Sequence, residues 1–147
     1  MMVERLLLAR IGAETFAFPL AEVLEVTDAA EVTPLALLPE GVVGQSVSRD
    51  RLLPVIDAGT LLGVPRSASK GVLLVIVVDG ERVALWADDV IDMVTVDPQR
   101  FRAVPAGNGA SATMLRGVLD LGAVIAALVS MDSVRAFVRT RLTTEVA

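Results

Sequence analysis

Short apolar blocks, each closed by a turn signal, run through this chain, and most of them come in pairs. Leu6–Ile11 and Thr15–Phe18 flank Gly12-Ala13-Glu14. Val72–Val78 and Arg82–Ala87 flank Asp79-Gly80-Glu81, and Asp-Gly between apolar runs is a strong hairpin signal. Met114–Leu119 and Val124–Val129 flank Asp120-Leu121-Gly122-Ala123. A further pair lies in the stretch from Gly44 to Gly63: an apolar strand, a tight charged turn (Ser48-Arg49-Asp50-Arg51), then Leu52–Ile56. Asp57 is placed to cap a short helical turn through Leu61 and Leu62, and Gly63 is its stop signal. Pro54 has no N–H to give a ladder, so its strand is expected at an edge or to end in a bulge. At least eight strands joined mostly by local connections point to an all-β barrel or sandwich.

A short internal repeat favours two barrels over one. Glu22-Val23-Leu24-Glu25-Val26 matches Asp89-Val90-Ile91-Asp92-Met93 at an offset of 67 residues, and each copy follows a predicted hairpin. Both copies read as a short helical turn opened by an acidic residue, with two apolar side chains pointing inward. Val64–Gly71 and Ala103–Thr113 read as loops. From Asp132 to Thr144 the apolar residues Val134, Phe137, Val138 and Leu142 fall at helical spacing, with Arg135, Arg139 and Arg141 on other faces. That segment is expected to be a C-terminal amphipathic helix docked on its own domain.

Composition narrows the chemistry. The 147 residues suit one domain with its own core. With no Cys and no His, thiol nucleophiles, imidazole bases, disulfides and the commonest zinc and haem ligands are excluded. No cofactor and no metal site is expected. A net charge of -5 and five aromatic residues argue against nucleic-acid binding, which needs basic patches and stacking platforms. Twelve arginines against the single Lys70 suit protein interfaces, because a planar guanidinium pairs bidentately and packs flat; codon bias would give the same count. Mean hydropathy is high, +0.65, yet the longest apolar runs, Val72–Val78 and Leu121–Met131, fall short of the ~20 residues of a spanning helix. No leader cleavage site stands out near Glu4 and Arg5. The expectation is a cytoplasmic domain whose apolar surplus lies in its interior or on a contact surface.

Asp88, Asp89 and Asp92 form the densest acidic cluster. A carboxylate-based or metal-assisted hydrolase could use them; the plainer expectation is that one caps a short helix and the others face water. Asp57 after an apolar strand suggests a phosphoacceptor, but the alternating helices, the acidic pair and the distant lysine of a receiver domain are missing. The residue with most to offer an interface is Arg49, in the charged turn; Glu25 is either a surface charge or an ion-pair partner for another chain.

In the order of these motifs the chain resembles the CheW-like family, scaffold proteins of bacterial chemosensory arrays, over roughly Leu6 to Asp132. The resemblance rests on the strand-turn-strand Leu7–Phe18, on Glu25-Val26, on Gly44, Arg49, Pro54, Val55 and Asp57, on Trp86-Ala87-Asp88-Asp89-Val90, and on Gly117. The family's Asn-Leu-Arg-Gly turn reads Val47-Ser48-Arg49-Asp50 here and keeps the arginine alone. The resemblance implies two intertwined, SH3-like, five-stranded β-barrel subdomains with short helical turns and a C-terminal helix. Residues 1–131 would form the CheW-like unit and 132–147 the helix and tail. It also implies a non-catalytic, cytoplasmic, array-associated adaptor that binds the regulatory domain of a CheA-type histidine kinase and the cytoplasmic tip of a chemoreceptor. Val23, Gly44 and Arg49 match positions tied to partner binding, with the receptor contact in the groove between subdomains, and Glu25 matches a position on the kinase side. A divergent member that keeps one partner and regulates array assembly or motility is the alternative.

Overall fold

Two hairpins set the frame. β1 (Glu4–Ile11) turns through Gly12-Ala13 into β2 (Glu14–Pro19), and β6 (Val72–Val78) turns through Asp79-Gly80 into β7 (Glu81–Ala87). Asp79 and Gly80 both have positive φ, 52° and 83°, as a two-residue turn matched to the strand twist requires. The structure, a computed structural model, describes residues 3–29, 32–33, 41–48, 51–67, 70–103 and 113–143. Its other strands are β3 (Glu25–Asp28), β4 (Val42–Ser48), β5 (Arg51–Asp57), β8 (Asp89–Val96), β9 (Phe101–Arg102), β10 (Leu115–Asp120) and β11 (Ile125–Val129). Two helices, α1 (Ala58–Leu62) and α2 (Met131–Thr143), follow β5 and β11, and a 3-10 turn, Leu20–Glu22, follows β2.

The strands form two sheets, in the orders β8-β1-β2-β11-β10-β9 and β3-β6-β7-β5-β4. The all-β architecture with short helical turns and a C-terminal helix is therefore as expected, with the two-residue β9 as a sixth strand on the first sheet. The chain exchanges strands between the sheets. β3 leaves the β1–β2 hairpin to pair with β6, and β8 leaves the β6–β7 hairpin to pair with β1. The two crossings share one register. Glu25, Val26 and Thr27 face Val75, Leu74 and Leu73; Asp92, Met93 and Val94 face Leu8, Leu7 and Leu6, each 67 residues from its counterpart. The β4–β5 and β10–β11 hairpins repeat in the same way at an offset of 73: Val42↔Ile56 and Gly44↔Val55 answer to Leu115↔Val129 and Gly117↔Leu128, both with a bulge between.

The repeat read from the sequence is present in the fold, but its local structure differs from the expected helical turn. Asp89–Met93 is an edge strand and not a helical turn, and Leu24, Val26, Ile91 and Met93 point outward. β8 carries apolar side chains on both faces, Val90 inward and Ile91 and Met93 outward, and only its register against β1 shows which face meets solvent.

Burial explains the hydropathy. Leu6 and Leu8 fill one barrel with Leu119 and Leu128; Leu73 and Val75 fill the other with Leu53 and Val55. The alternate residues Leu7, Ala9 and Ile11, with Leu74, Ile76 and Val78, meet in a third cluster between the barrels, beside Phe18, Leu85 and Val138. β1 and β6 are covered on both faces, and so read as nearly unbroken apolar runs. Most of the apolar surplus is interior.

Pro54 sits opposite Gln45 on β4, and the parallel ladder from β5 to β7 begins only at Val55. β5 is an inner strand, not an edge, yet its proline lies just before the second ladder starts, and the bulge is on its neighbour β4. Asp57 caps α1 by accepting from the Gly59 N–H at 2.9 Å, and Gly63 ends the helix at φ 79°. Ser130 takes the equivalent place before α2 and accepts from the Ser133 N–H at 3.3 Å. α2 therefore begins at Met131, one residue before the expected start, and buries Val134 and Val138 completely.

Candidate functional site

Three of the four residues singled out for partner binding converge on one side of the second barrel. Val23 lies just after the 3-10 turn, its N–H bonded to the Leu20 carbonyl, its side chain packed on the shared core. Glu25 opens β3 opposite Val75. Gly44 is buried at the bulge of β4. Arg49 lies outside the described residues. β3 and β4 are opposite edges of the five-stranded sheet, and the sheet curls to bring them together. Thr33, downstream of β3, closes the barrel through reciprocal backbone bonds with Gln45 of 2.7 and 2.9 Å. The equivalent closure in the first barrel pairs Arg102 with Val118, and there a Cβ on Gly117 would stand 2.5 Å from the Arg102 carbonyl oxygen.

The surface so formed is an open groove of about 490 Å³ lined by Leu24, Gln45, Leu52–Pro54, Val77, Gly80–Arg82 and Leu142. Its liners Leu24 and Gln45 are chain neighbours of the predicted residues. Alternation along an extended chain explains the offset by one: Val23 turns into the core while Leu24 turns out, and Gly44 is buried while Gln45 reaches the groove. Val23 and Gly44 shape this surface from beneath. Sequence reasoning missed Leu24, Leu52, Val77 and Leu142 as lining residues. Exposed leucines and valines carry no mark in the sequence that separates them from core residues.

The far wall belongs to α2. Arg139 donates two parallel hydrogen bonds to Asp79 in the β6–β7 turn, at 2.6 and 2.9 Å. That fork holds the Asp79 carboxyl below its usual range and raises the guanidinium in turn. One turn earlier Arg135 bridges Asp132 and Glu22; its hydrogen bond to Asp132 is the main cause of its raised pKa, followed by those of Glu22. Phe137 packs over Gly41, where an added Cβ would lie 3.2 Å from the ring. Gly41 has φ 90°, and its carbonyl accepts from the Asp57 N–H at 2.8 Å.

The acidic cluster is dispersed. Asp88 is buried and accepts from Gly12 N–H at 2.6 Å and from the Ser67 N–H and hydroxyl at 2.9 and 3.2 Å. It caps no helix, contrary to the sequence reading; it ties the β1–β2 turn to the segment after α1. Asp89 and Asp92 are on β8 and accept from their own neighbours, Val90 and Met93. Among the described residues no three acidic side chains converge as a metal site would need. Nor is any helix there long and apolar enough to cross a membrane.

The CheW-like domain profile matches residues 5–136, nearly the whole chain. The chain belongs to the CheW-like domain family. The CheW-like chain is 28% identical over 128 residues to the chemotaxis protein CheW of Rhizobium meliloti (strain 1021), covering 85% of this chain and 83% of that one. Its fold matches the crystal structure of the scaffolding protein TtCheW from Thermoanaerobacter tengcongensis with a TM-score of 0.79 at 16% identity, over 89% of this chain and 86% of that one. Family membership makes this a scaffold or coupling domain of the chemotaxis type.

Proposed function

We propose that the protein is a non-catalytic adaptor that couples chemoreceptors to a CheA-type histidine kinase in a cytoplasmic receptor array. The observation that carries this reading is the family match over residues 5–136; the named relative, a chemotaxis protein, and the scaffold-protein fold agree with it. The groove beside β3, β4 and β5 is the receptor-tip site, with Val23 and Gly44 setting its shape; Arg49, which lies outside the described residues, is taken as its charged contact from the family resemblance. Glu25 serves the kinase side. An apolar floor with a polar rim, here Gln45, Glu81 and Arg82, suits one face of a helical partner.

Titration against a kinase regulatory domain and a receptor-tip fragment, separately and together, tests this. Binding of both in a ternary complex is expected, and Arg49→Glu should weaken binding by about tenfold or more without altering the fold. Unchanged affinity of Arg49→Glu for both partners would count against the site. The turn Val47-Ser48-Arg49-Asp50 favours a second reading, a member that keeps one partner and regulates array assembly or motility; binding of a single partner in the same titration would select it.

A further inference from the structure

The two barrels carry equivalent exposed apolar patches, and among the described residues α2 walls one of them, the patch beside β3 and β5. At the register offsets given above, Leu24, Val26 and Leu52 correspond to Ile91, Met93 and Ile125, and all six are exposed. Two features break the equivalence. Where the groove has Val77, the other patch has Arg10, 3.7 Å from Asp89. And α1 stops at Leu62, which corresponds to Arg135, so the segment Ala136–Thr143 of α2 has no helical counterpart. That extra segment crosses to the second barrel. Phe137 rests over Gly41, Arg139 grips Asp79, and Leu142 stands in the groove wall. Val138 is the last residue of α2 fully buried in the shared core; the turn after it is held by the Arg139–Asp79 fork, by Arg141 stacked 4.1 Å over the Phe137 ring and by Leu142 packing against the edge of that core.

We propose that the last turn of α2 is the specificity-determining wall of the groove: Leu142, positioned by the Arg139–Asp79 fork, makes the β3–β5 patch selective for a helical receptor-tip partner over the equivalent β8–β11 patch. This rests on the groove being the receptor-tip site. Leu142 contributes a contact surface, and Arg139 is a positioning residue that acts through it.

The test is titration of a receptor-tip fragment and, separately, a kinase regulatory domain against Leu142→Ala, Leu142→Asp, Arg139→Ala, Leu52→Asp and Met93→Asp proteins. Thermal melting and the fluorescence of the single Trp86 serve as fold checks. Leu142→Asp should weaken receptor-tip binding about tenfold or more and Arg139→Ala about threefold. Kinase-domain affinity should stay near wild type, with melting lowered only for the Leu142 variants, whose side chain also packs against the shared core, and Met93→Asp should bind the receptor tip normally. If Leu52→Asp loses receptor binding while Leu142→Asp and Arg139→Ala keep it, the groove stands and the role of α2 is overturned. If Leu52→Asp also binds normally, the groove reading itself fails. Equal loss of both partners on Leu142→Asp, or a Met93→Asp defect as large, would overturn the selectivity. Should Leu142→Asp not fold, Leu142→Ala and the exposed Arg139→Ala decide the matter.

Discussion

The barrel filled by Leu6, Leu8 and Leu128 and the barrel filled by Leu73, Val75 and Val55 repeat each other over five strands, down to a bulge beside a glycine in each. They differ where they meet solvent and each other: a five-residue helix against a thirteen-residue one, an Asp cap against a Ser cap, and a buried Asp88 where the first barrel has Ala21. The lesson is physical. Strands packed on both faces tolerate little change in size or register, so the interiors match. Helix length and loop chemistry are set at the rim, where substitution costs least, and the two ends of the molecule are told apart there.

The largest test asks whether the barrels are separable. Leu85 is fully buried in the cluster between them, and Leu85→Ala should cost about 2–5 kcal/mol in a single cooperative urea transition seen by all probes. Two resolved transitions would show that the barrels unfold independently and that strand exchange does not couple them. Next, Asp88→Ala removes the acceptor shared by Gly12 and Ser67 and should cost about 2–3 kcal/mol, with hydrogen exchange rising at those two amides. The substitution Ala21→Ser at the corresponding position should be close to neutral if the asymmetry is real.

The caps give a finer comparison. Asp57 caps α1 and also accepts from Arg66 at 3.0 Å, whose guanidinium stacks 3.8 Å over the Trp86 ring. Asp57→Ala should therefore cost about 1–2 kcal/mol, against about 0.5–1 for Ser130→Ala, as measured by chemical denaturation. A reversed order would mean that α2 depends on its first turn more than its buried Val134 and Val138 suggest.

The smallest effect is on pH. The Asp79 carboxyl is depressed in the fold by its hydrogen bonds from Arg139, so the unfolded chain binds this proton more readily. The stabilisation is full above the ordinary carboxylate range and is lost as pH falls through the lower folded value. Both groups are exposed, so the change is small and screened by salt. Comparing melting of wild type and Asp79→Asn from neutral to acid pH should show a gap that closes at low pH; a gap that widens would contradict the assignment.

Much of this was legible in the residues. Turn signals placed the hairpins at Gly12, Asp79-Gly80 and Ser48–Arg51, and Asp57 and Gly63 marked both ends of α1. The offset of 67 announced the duplication. β3 and β8 were not legible as strands, because a short edge strand has too few neighbours to impose a clean alternation and its identity lies in its partner. Of the candidate groove, the segments that border it were legible and the residues that line it were not. Val23, Glu25 and Gly44 mark the segments that converge, but which neighbour faces the groove depends on the direction of each pleat.

Local chemistry along the chain, namely turns, caps and blocks of apolar residues, is enough to settle that the protein is a doubled, strand-rich domain without thiol or imidazole chemistry. Three-dimensional packing settles the rest: that each hairpin lends its next strand to the other barrel, that Asp88 is a buried tie and not a reactive acid, and that Arg139 and Leu142 come to stand beside a turn some sixty residues earlier. Such contacts join residues far apart in the chain, and no local signal records them because the free energy that selects them comes from burial in the finished core.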